Sequence, residues 1–186
     1  MYDINTGNCI KKLTGHTSKV YSLGLLYDGS LVSGSADKSI KIWDLKSKTS
    51  LITTLLGHSY GVSVLCPLLS MGLASEGDNN GDIRIWTPNT PNWSSSTLNY
   101  TRILKGHAFT VRTLCQLPNG TLVSGSSDCS IKLWNLSNGE CLKTLHIHTH
   151  WVLCIVAYPN ESVYKIASAG GDNCIYLTDL EEYLPI

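Results

Sequence analysis

The chain has 186 residues, 42% of them apolar, and its 14 Lys and Arg balance its 14 Asp and Glu. A net charge of zero argues against nucleic acid or an anionic membrane as the main partner, because either needs a concentrated positive field. The sequence lacks both a long apolar run and a signal peptide, so we expect a soluble, unexported protein of the cytoplasm or nucleus.

Seven cysteines are scattered along the chain, an odd number without any C-x-x-C pair. This spacing favours neither a disulfide framework nor a thiolate zinc site. We therefore expect free thiols in a reducing compartment.

One phrase recurs four times and opens four units of similar pattern. The phrases are GHTSKV (15–20), GHSYGV (57–62), GHAFTV (106–111) and the degenerate IHTHWV (147–152). After each phrase we expect a short apolar strand, a turn, a second strand, an Asp or Asn turn, and an alternating third strand. These third strands read IKIWDL (40–45), IRIWTP (83–88), IKLWNL (131–136) and IYLTDL (175–180). A recurrence at this interval predicts a repeat architecture built from one β unit.

The joint recurrence of GH, Ser, Asp and Trp-Asp in register resembles the WD-repeat β-propeller family over essentially the whole chain. The resemblance implies an all-β fold of four-stranded antiparallel blades around a central axis, with the first strand of each blade innermost. We therefore expect about four blades, arranged as an open arc, a four-blade ring, or part of a larger ring. Because repeats of this kind usually close with about seven blades, we favour an open assembly or one completed by a partner, including a second copy.

We interpret residues 1–186 as one domain containing a split blade. The resemblance places the outer strand of that blade in residues 1–13 and its other three strands in residues 147–186. The intervening blades would span 14–56, 57–105 and 106–146. Joining the two parts would remove two open strand edges, which proteins normally avoid.

The resemblance also implies a buried hydrogen-bond network in each blade. In it, the Asp holds a ring nitrogen of the His, and the Ser hydroxyl links the His to the Trp indole. The residues at these positions are His16, Ser33, Asp37 and Trp43; His58, Ser75, Asn80 and Trp86; His107, Ser124, Asp128 and Trp134; and His148, Ser168 and Asp172. Asn80 takes the Asp position after a one-residue insertion. Thr178 stands where the fourth Trp belongs, so we expect that network to be incomplete and that blade to be the least stable.

Loops of neighbouring blades converge on one face in this family, and other proteins bind there. Carrying the family's contact positions onto this chain predicts the protein-binding residues Lys19, Tyr21, Ser63, Thr110, Arg112, Trp151 and Leu153, and Phe109 in the same loops is a further candidate. Lys19 and Arg112 point to a carboxylate or phosphate in the ligand, whereas Trp151 and Leu153 could instead only pack between blades. A further candidate is Trp93 in the long segment 87–101, which either anchors a partner or folds against its own blade. The expected function is a non-enzymatic interaction scaffold or substrate-recognition module.

Two chemical alternatives arise from the histidines. The Ser, His and Asp of each unit suggest a catalytic triad, but four sealed copies would lack the exposure that a nucleophile requires. His146, His148 and His150 alternate, and in a regular strand they would share one face as zinc ligands. A metal-dependent or hydrolytic activity at these histidines is the alternative function. Because the network already uses His148, we expect no metal and no other cofactor.

Overall fold

The computed structural model describes residues 3–47, 50–70, 72–88, 93, 100–160 and 163–183. These ranges form four antiparallel sheets in chain order. Blade 1 contains β1 (Val20–Leu25), β2 (Leu31–Ser35), β3 (Ile40–Trp43) and β4 (Leu51–Leu55). Blade 2 contains β5 (Val64–Pro67), β6 (Leu73–Glu76), β7 (Ile83–Trp86) and β8 (Tyr100–Leu104). Blade 3 contains β9 (Val111–Gln116), β10 (Leu122–Ser126), β11 (Ile131–Trp134) and β12 (Cys141–Leu145). Blade 4 contains β13 (Val152–Asn160), β14 (Val163–Gly170) and β15 (Ile175–Asp179), followed by a 3-10 helix at Glu181–Tyr183.

Each strand pairs with its sequence neighbour, so every blade is a simple up-and-down sheet. Short turns with side-chain acceptors connect the first two strands, as the DG and NG pairs predict. In blade 1, Asp28 Oδ1 accepts a hydrogen bond from the Ser30 amide, and in blade 3 Asn119 Oδ1 accepts one from the Thr121 amide. The prediction of an all-β fold with four blades is confirmed. Among the residues that the structure describes, no helix has the length and apolar character needed to cross a membrane.

The blades pack in series through their first strands, β5 on β1, β9 on β5 and β13 on β9. In blades 2 and 4, a valine inserts against a glycine of the blade before it. A Cβ on Gly34 would lie 2.8 Å from Val62 Cγ1, and one on Gly125 would lie 2.5 Å from Val152 Cγ1. Only glycine leaves room for these contacts. The apolar core consists of three clusters, and each cluster spans two successive blades.

The series of blades does not close into a ring. Residues 1–13 were expected to supply the outer strand of blade 4, but their described part, residues 3–13, does not join that sheet, whose order is β13-β14-β15. Lys11 instead lies on blade 1, where its Nζ donates to the carbonyls of Leu45 at 2.9 Å and Ser47 at 2.8 Å. Four wedges shaped for a wider ring turn through only part of a circle, so the segment before blade 1 does not reach blade 4 of its own chain.

Candidate interaction face and the networks beneath it

Blades 1 and 3 hold the same four side chains in the same arrangement. In blade 3, His107 Nδ1 lies 2.7 Å from Asp128 Oδ2, and Nε2 lies 2.7 Å from Ser124 Oγ. The Trp134 indole N–H donates to the same hydroxyl at 2.8 Å. A neutral imidazole with its proton on Nδ1 satisfies every partner, because Nε2 then accepts the Ser124 proton.

The blade 1 network repeats these contacts within 0.1 Å. His16 lies 2.8 Å from Asp37 and 2.7 Å from Ser33, and Trp43 donates to Ser33 at 2.8 Å. Burial raises the pKa of Asp37, but hydrogen bonds from Ser39, Thr17 and His16 outweigh it and hold this pKa well below its usual range. The same balance lowers the pKa of Asp128 to about 2. Both carboxylates are therefore ionised acceptors at neutral pH.

Blade 2 uses Asp78 in its network, and the expectation for Asn80 was wrong. His58 Nδ1 lies 2.8 Å from Asp78 Oδ2, while Asn80 Nδ2 donates to Asp82 in an exposed turn. Asp78 follows Ser75 by three positions, whereas Asp37 follows Ser33 by four, and the part of the turn after Asp78 is two residues longer, so the net one-residue insertion lies after the aspartate. A carboxylate is also required here because Arg84 Nε donates to Asp78 at 2.8 Å, forming an ion pair that an amide cannot replace. The remaining contacts match those of blades 1 and 3. Ser75 Oγ lies 2.7 Å from His58 Nε2 and accepts a hydrogen bond from the Trp86 indole N–H at 2.7 Å.

Blade 4 keeps the His and Asp contacts but lacks the indole. His148 lies 2.9 Å from Asp172 Oδ2 and 2.9 Å from Ser168 Oγ. The ring of Tyr176 packs edge-on against His148, with centroids 4.8 Å apart and an interplanar angle of 88°. Sequence reasoning missed Tyr176, although an aromatic residue at the position of Lys41, Arg84 and Lys132 was a visible signal.

These networks stabilise the blades and offer no accessible nucleophile. Ser75 and Ser124 are fully buried, so a substrate cannot reach either hydroxyl. Burial lowers the pKa of His58 and His107, and their hydrogen bonds to Asp78 and Asp128 only partly offset this, so both rings stay neutral at pH 7.

The three alternating histidines are not brought together as ligands. Both ring nitrogens of His148 already contact Asp172 and Ser168, whereas His146 and His150 are exposed. The His150 ring packs against Trp151 with centroids 5.1 Å apart. Across the described part of the chain, no group of three metal-ligating side chains occurs.

The predicted binding residues lie where each first strand begins, beside the turn between the second and third strands. Backbone hydrogen bonds join these two places in blades 1, 3 and 4, from Ala36 to Lys19, from Ser127 to Thr110 and from Gly171 to Trp151. Contacts between blades continue the face. The Tyr21 ring lies against Gly61, and Lys38 Nζ lies 6.0 Å from the centroid of the Tyr60 ring.

Arg112 and Trp151 form a pair that bridges blades 3 and 4. The guanidinium carbon lies 4.4 Å from the centroid of the Trp151 ring, within the range of a cation–π interaction. The Arg112 Nε–H donates to Ser127 Oγ at 2.6 Å, which fixes the orientation of the guanidinium plane. Both side chains are exposed, as are Lys19, Tyr21, Phe109 and Leu153. Trp151 therefore packs between blades and also faces solvent.

Beneath this face lies a buried glutamate that sequence reasoning missed. Glu76 is 2% exposed and accepts a hydrogen bond from Ser63 Oγ at 2.7 Å. Burial raises the pKa of Glu76 to about 7; the Ser63 hydrogen bond and the charge of Arg112 oppose the shift, and Asp78 adds to it. The signal in the sequence was a glutamate at the position that Gly34 and Gly125 occupy in the other repeats.

Trp93 is 1% exposed and belongs to the apolar cluster between blades 1 and 2. Of the two alternatives for this residue, the structure shows packing into the protein rather than an exposed anchor.

The chain is similar to known repeat proteins along most of its length. A family model described as WD domain, G-beta repeat, matches residues 7–44, 98–135 and 139–179. The nuclear distribution protein PAC1 of Arthroderma otae is 30% identical over 92% of this chain and 39% of its own length. The WD repeat-containing protein pop2 of Schizosaccharomyces pombe is 31% identical over 85% of this chain and 26% of its own length. The chain thus spans less than two fifths of these curated relatives.

Solved structures support the same fold. The WD40 β-propeller domain of Doa1 superposes with a TM-score of 0.73 at 23% identity, over 89% of this chain and 52% of that domain. The computationally designed Ika4 protein superposes with a TM-score of 0.75 at 24% identity, over 94% of this chain and 99% of its own. WD40 propellers are in general non-enzymatic scaffolds for protein–protein interaction. With its matching repeats, identity to curated relatives and four propeller blades, the chain belongs to the WD40-repeat family.

Proposed function

We propose that this chain is a non-enzymatic recognition module that binds a protein segment on the face formed by its inter-blade loops. The observation that carries the proposal is the Arg112–Trp151 pair, which is exposed and also held in place. Arginine and tryptophan are enriched among residues that dominate binding energy at protein interfaces. Because Ser127 and the indole ring already orient the guanidinium, little side-chain entropy is lost on binding.

The chemistry of the face indicates the class of ligand. Arg112 and Lys19 are exposed cations, and Tyr21, Tyr60 and Phe109 are exposed aromatic residues on the same loops. This combination favours a peptide segment that carries a carboxylate or phosphate beside an apolar side chain. We place this interaction in the cytoplasm or nucleus, where the seven free cysteines would stay reduced.

Peptide display against the purified chain tests the proposal. We expect the selected peptides to be enriched in acidic and apolar residues and to lose at least about 10-fold in affinity on Arg112→Ala or Trp151→Ala. Tyr21→Ala should weaken the same peptides. Tyr27→Ala is the matched control, because Tyr27 is an exposed tyrosine in the β1–β2 turn, at the opposite end of blade 1.

The melting temperature of each variant separates binding from folding. Arg112→Ala, Tyr21→Ala and Tyr27→Ala remove exposed side chains and should leave the melting temperature nearly unchanged, whereas Trp151→Ala also removes a packing contact between blades and should lower it by a few degrees while the chain stays folded. Affinity lost only together with the fold, or lost equally with Tyr27→Ala, would reject this face as the binding surface.

A further inference from the structure

Every internal contact between blades joins two defined faces. The leading face of a blade consists of the first-strand side chains that point to the preceding blade. The trailing face of a blade consists of the side chains that point to the following blade. The leading face of blade 4 includes Val152 and Ile155, and the trailing face of blade 3 includes Leu133, Ile131 and Gly125. The four apolar residues are nearly or fully buried in one cluster. The contact recurs between blades 1 and 2 and between blades 2 and 3.

None of the described blades lies against the leading face of blade 1. Val20 is 49% exposed, whereas the equivalent Val62, Val111 and Val152 are each 0% exposed. Leu23 and Leu25 follow on the same side of β1 and are also exposed. Their opposite side is occupied, because a Cβ on Gly24 between them would lie 2.8 Å from Pro67 of blade 2.

The trailing face of blade 4 is open in the same way. Ile175 and Leu177 are 75% and 77% exposed, whereas Ile131 and Leu133 at the same positions of blade 3 are 0% exposed. Val156 and Tyr158 extend this apolar surface along β13. Blades 1 and 4 therefore present two exposed apolar faces, each equivalent to a face that is buried at three places between the described blades. Exposed apolar patches of this kind mark association surfaces.

The outer edge of β15 is open as well, in the part of the chain that is described. Blades 1 to 3 each add a fourth strand at that edge, and blade 4 does not. Residues 7–13 read GNCIKKL and residues 139–145 read GECLKTL, the segment that contains β12. A segment with the sequence of a fourth strand thus precedes the open leading face directly, within the same chain.

We propose that a second copy of this chain covers both faces, head to tail, in a closed two-fold ring of eight blades. The leading face of each copy packs on the trailing face of the other, as successive blades do within the chain. Residues 9–13 of each copy then reach the open edge of β15 in the other, because they arrive with blade 1. The chain covers 52% of the Doa1 propeller, so it spans about half a turn, and two copies close the circle with two identical contacts.

Sedimentation equilibrium over a range of concentrations tests the mass. We expect the chain of 20.3 kDa to sediment at twice this mass at micromolar concentrations, without larger species, because a closed ring stops growing. Higher oligomers would overturn the closed ring. If the chain remained monomeric up to about 1 mM, the proposal that a second copy covers the two faces would be wrong, and blades of another protein would be the remaining occupant.

A charge-swap pair tests the head-to-tail geometry. Leu23 and Leu177 correspond to Ile155 and Leu133, which lie in one cluster at the contact between blades 3 and 4. We expect Leu23→Lys and Leu177→Glu to be monomeric when each is alone, with dimer affinity reduced at least about 100-fold. Mixed in equal amounts, they should form a heterodimer, because one contact then pairs the Lys with the Glu and the other is unchanged.

Leu56→Glu is the matched control, because Leu56 is also exposed but lies outside both faces, and this variant should remain dimeric. Circular dichroism shows whether each monomer is folded, which we expect because the altered leucines contact solvent within one chain. Failure of the mixture to dimerise, or dissociation by Leu56→Glu, would overturn the head-to-tail contact.

Discussion

Blade 2 lengthens the turn that carries its aspartate by one residue and places the aspartate one position earlier, but keeps tryptophan at the end of its third strand, whereas blade 4 keeps the turn and replaces the tryptophan with Thr178. The two changes have different effects on the hydrogen-bond network of the blade. In blade 2, Ser75 Oγ lies between His58 and Trp86, and Asp78 also holds Arg84. In blade 4, no indole reaches Ser168, and Tyr176 packs against the histidine instead.

The comparison shows what the network requires. A change in turn length is tolerated because the aspartate side chain still reaches the histidine ring from one position earlier. Loss of the indole is not made up, because among the described residues no other side chain donates to Ser168 Oγ, which hydrogen-bonds only to His148. Chemistry and volume therefore matter more to a blade than spacing does.

The largest expected effect comes from making blade 2 resemble blade 4 by Trp86→Thr. Trp86 is 1% exposed and packs between blades 1 and 2, so we expect a loss of about 3–5 kcal/mol in the free energy of unfolding. Urea unfolding measures it. The control Thr178→Ser should change stability by less than about 0.5 kcal/mol. A change below about 1 kcal/mol for Trp86→Thr would contradict a stabilising role of the indole in its blade.

A second experiment tests which residue of the blade 2 turn holds the histidine. Asp78→Ala leaves Arg84 and His58 without their acceptor, and we expect a loss of about 3–4 kcal/mol. Asn80→Ala, two positions away in an exposed turn, should change the free energy of unfolding by less than about 0.5 kcal/mol. Equal effects of the two substitutions in urea titrations would restore Asn80 as the network residue.

The smallest effect depends on pH and concerns Glu76, which also distinguishes blade 2 from blade 4. Its folded pKa of about 7 exceeds the ordinary 4.5, so the native state binds the proton more tightly than the unfolded chain does. The contribution of Glu76 to the free energy of unfolding therefore falls by roughly 2–3 kcal/mol as pH rises from about 4.5 to about 7. Above that range the contribution is constant. Glu76→Gln should remove this dependence.

Unfolding of wild type and Glu76→Gln at pH 5 and pH 8 measures the difference. Comparing the two proteins cancels the opposite contribution of His58 and His107, whose lowered pKa values make stability fall as pH drops below 6.5. The exposed Glu181→Gln is the control and should follow wild type. A parallel pH dependence in Glu76→Gln would show that Glu76 is not protonated in the folded chain.

Much of the fold could be predicted from the repeats. Histidine, serine, aspartate and tryptophan recur at fixed spacing in blades 1 and 3, and the contacts follow that spacing because the same short strands and turns position them. The same method misplaced the blade 2 aspartate, because Asp78 and Asn80 both fit a turn and only the three-dimensional path shows which side chain meets His58. It also assigned the outer strand of blade 4 to residues 1–13, which required a ring that four wedges do not close.

The sequence by itself determined the β architecture, the order of the strands and the side chains available to each blade, since these depend on local periodicity and repeat. Only the tertiary structure decided that Glu76 is buried beside Ser63, that Arg112 stacks on Trp151, and that Val20 and Leu177 face solvent while their equivalents are buried. These features depend on what the neighbouring blade places against each side chain. Burial and pKa are properties of that contact and not of the residue alone.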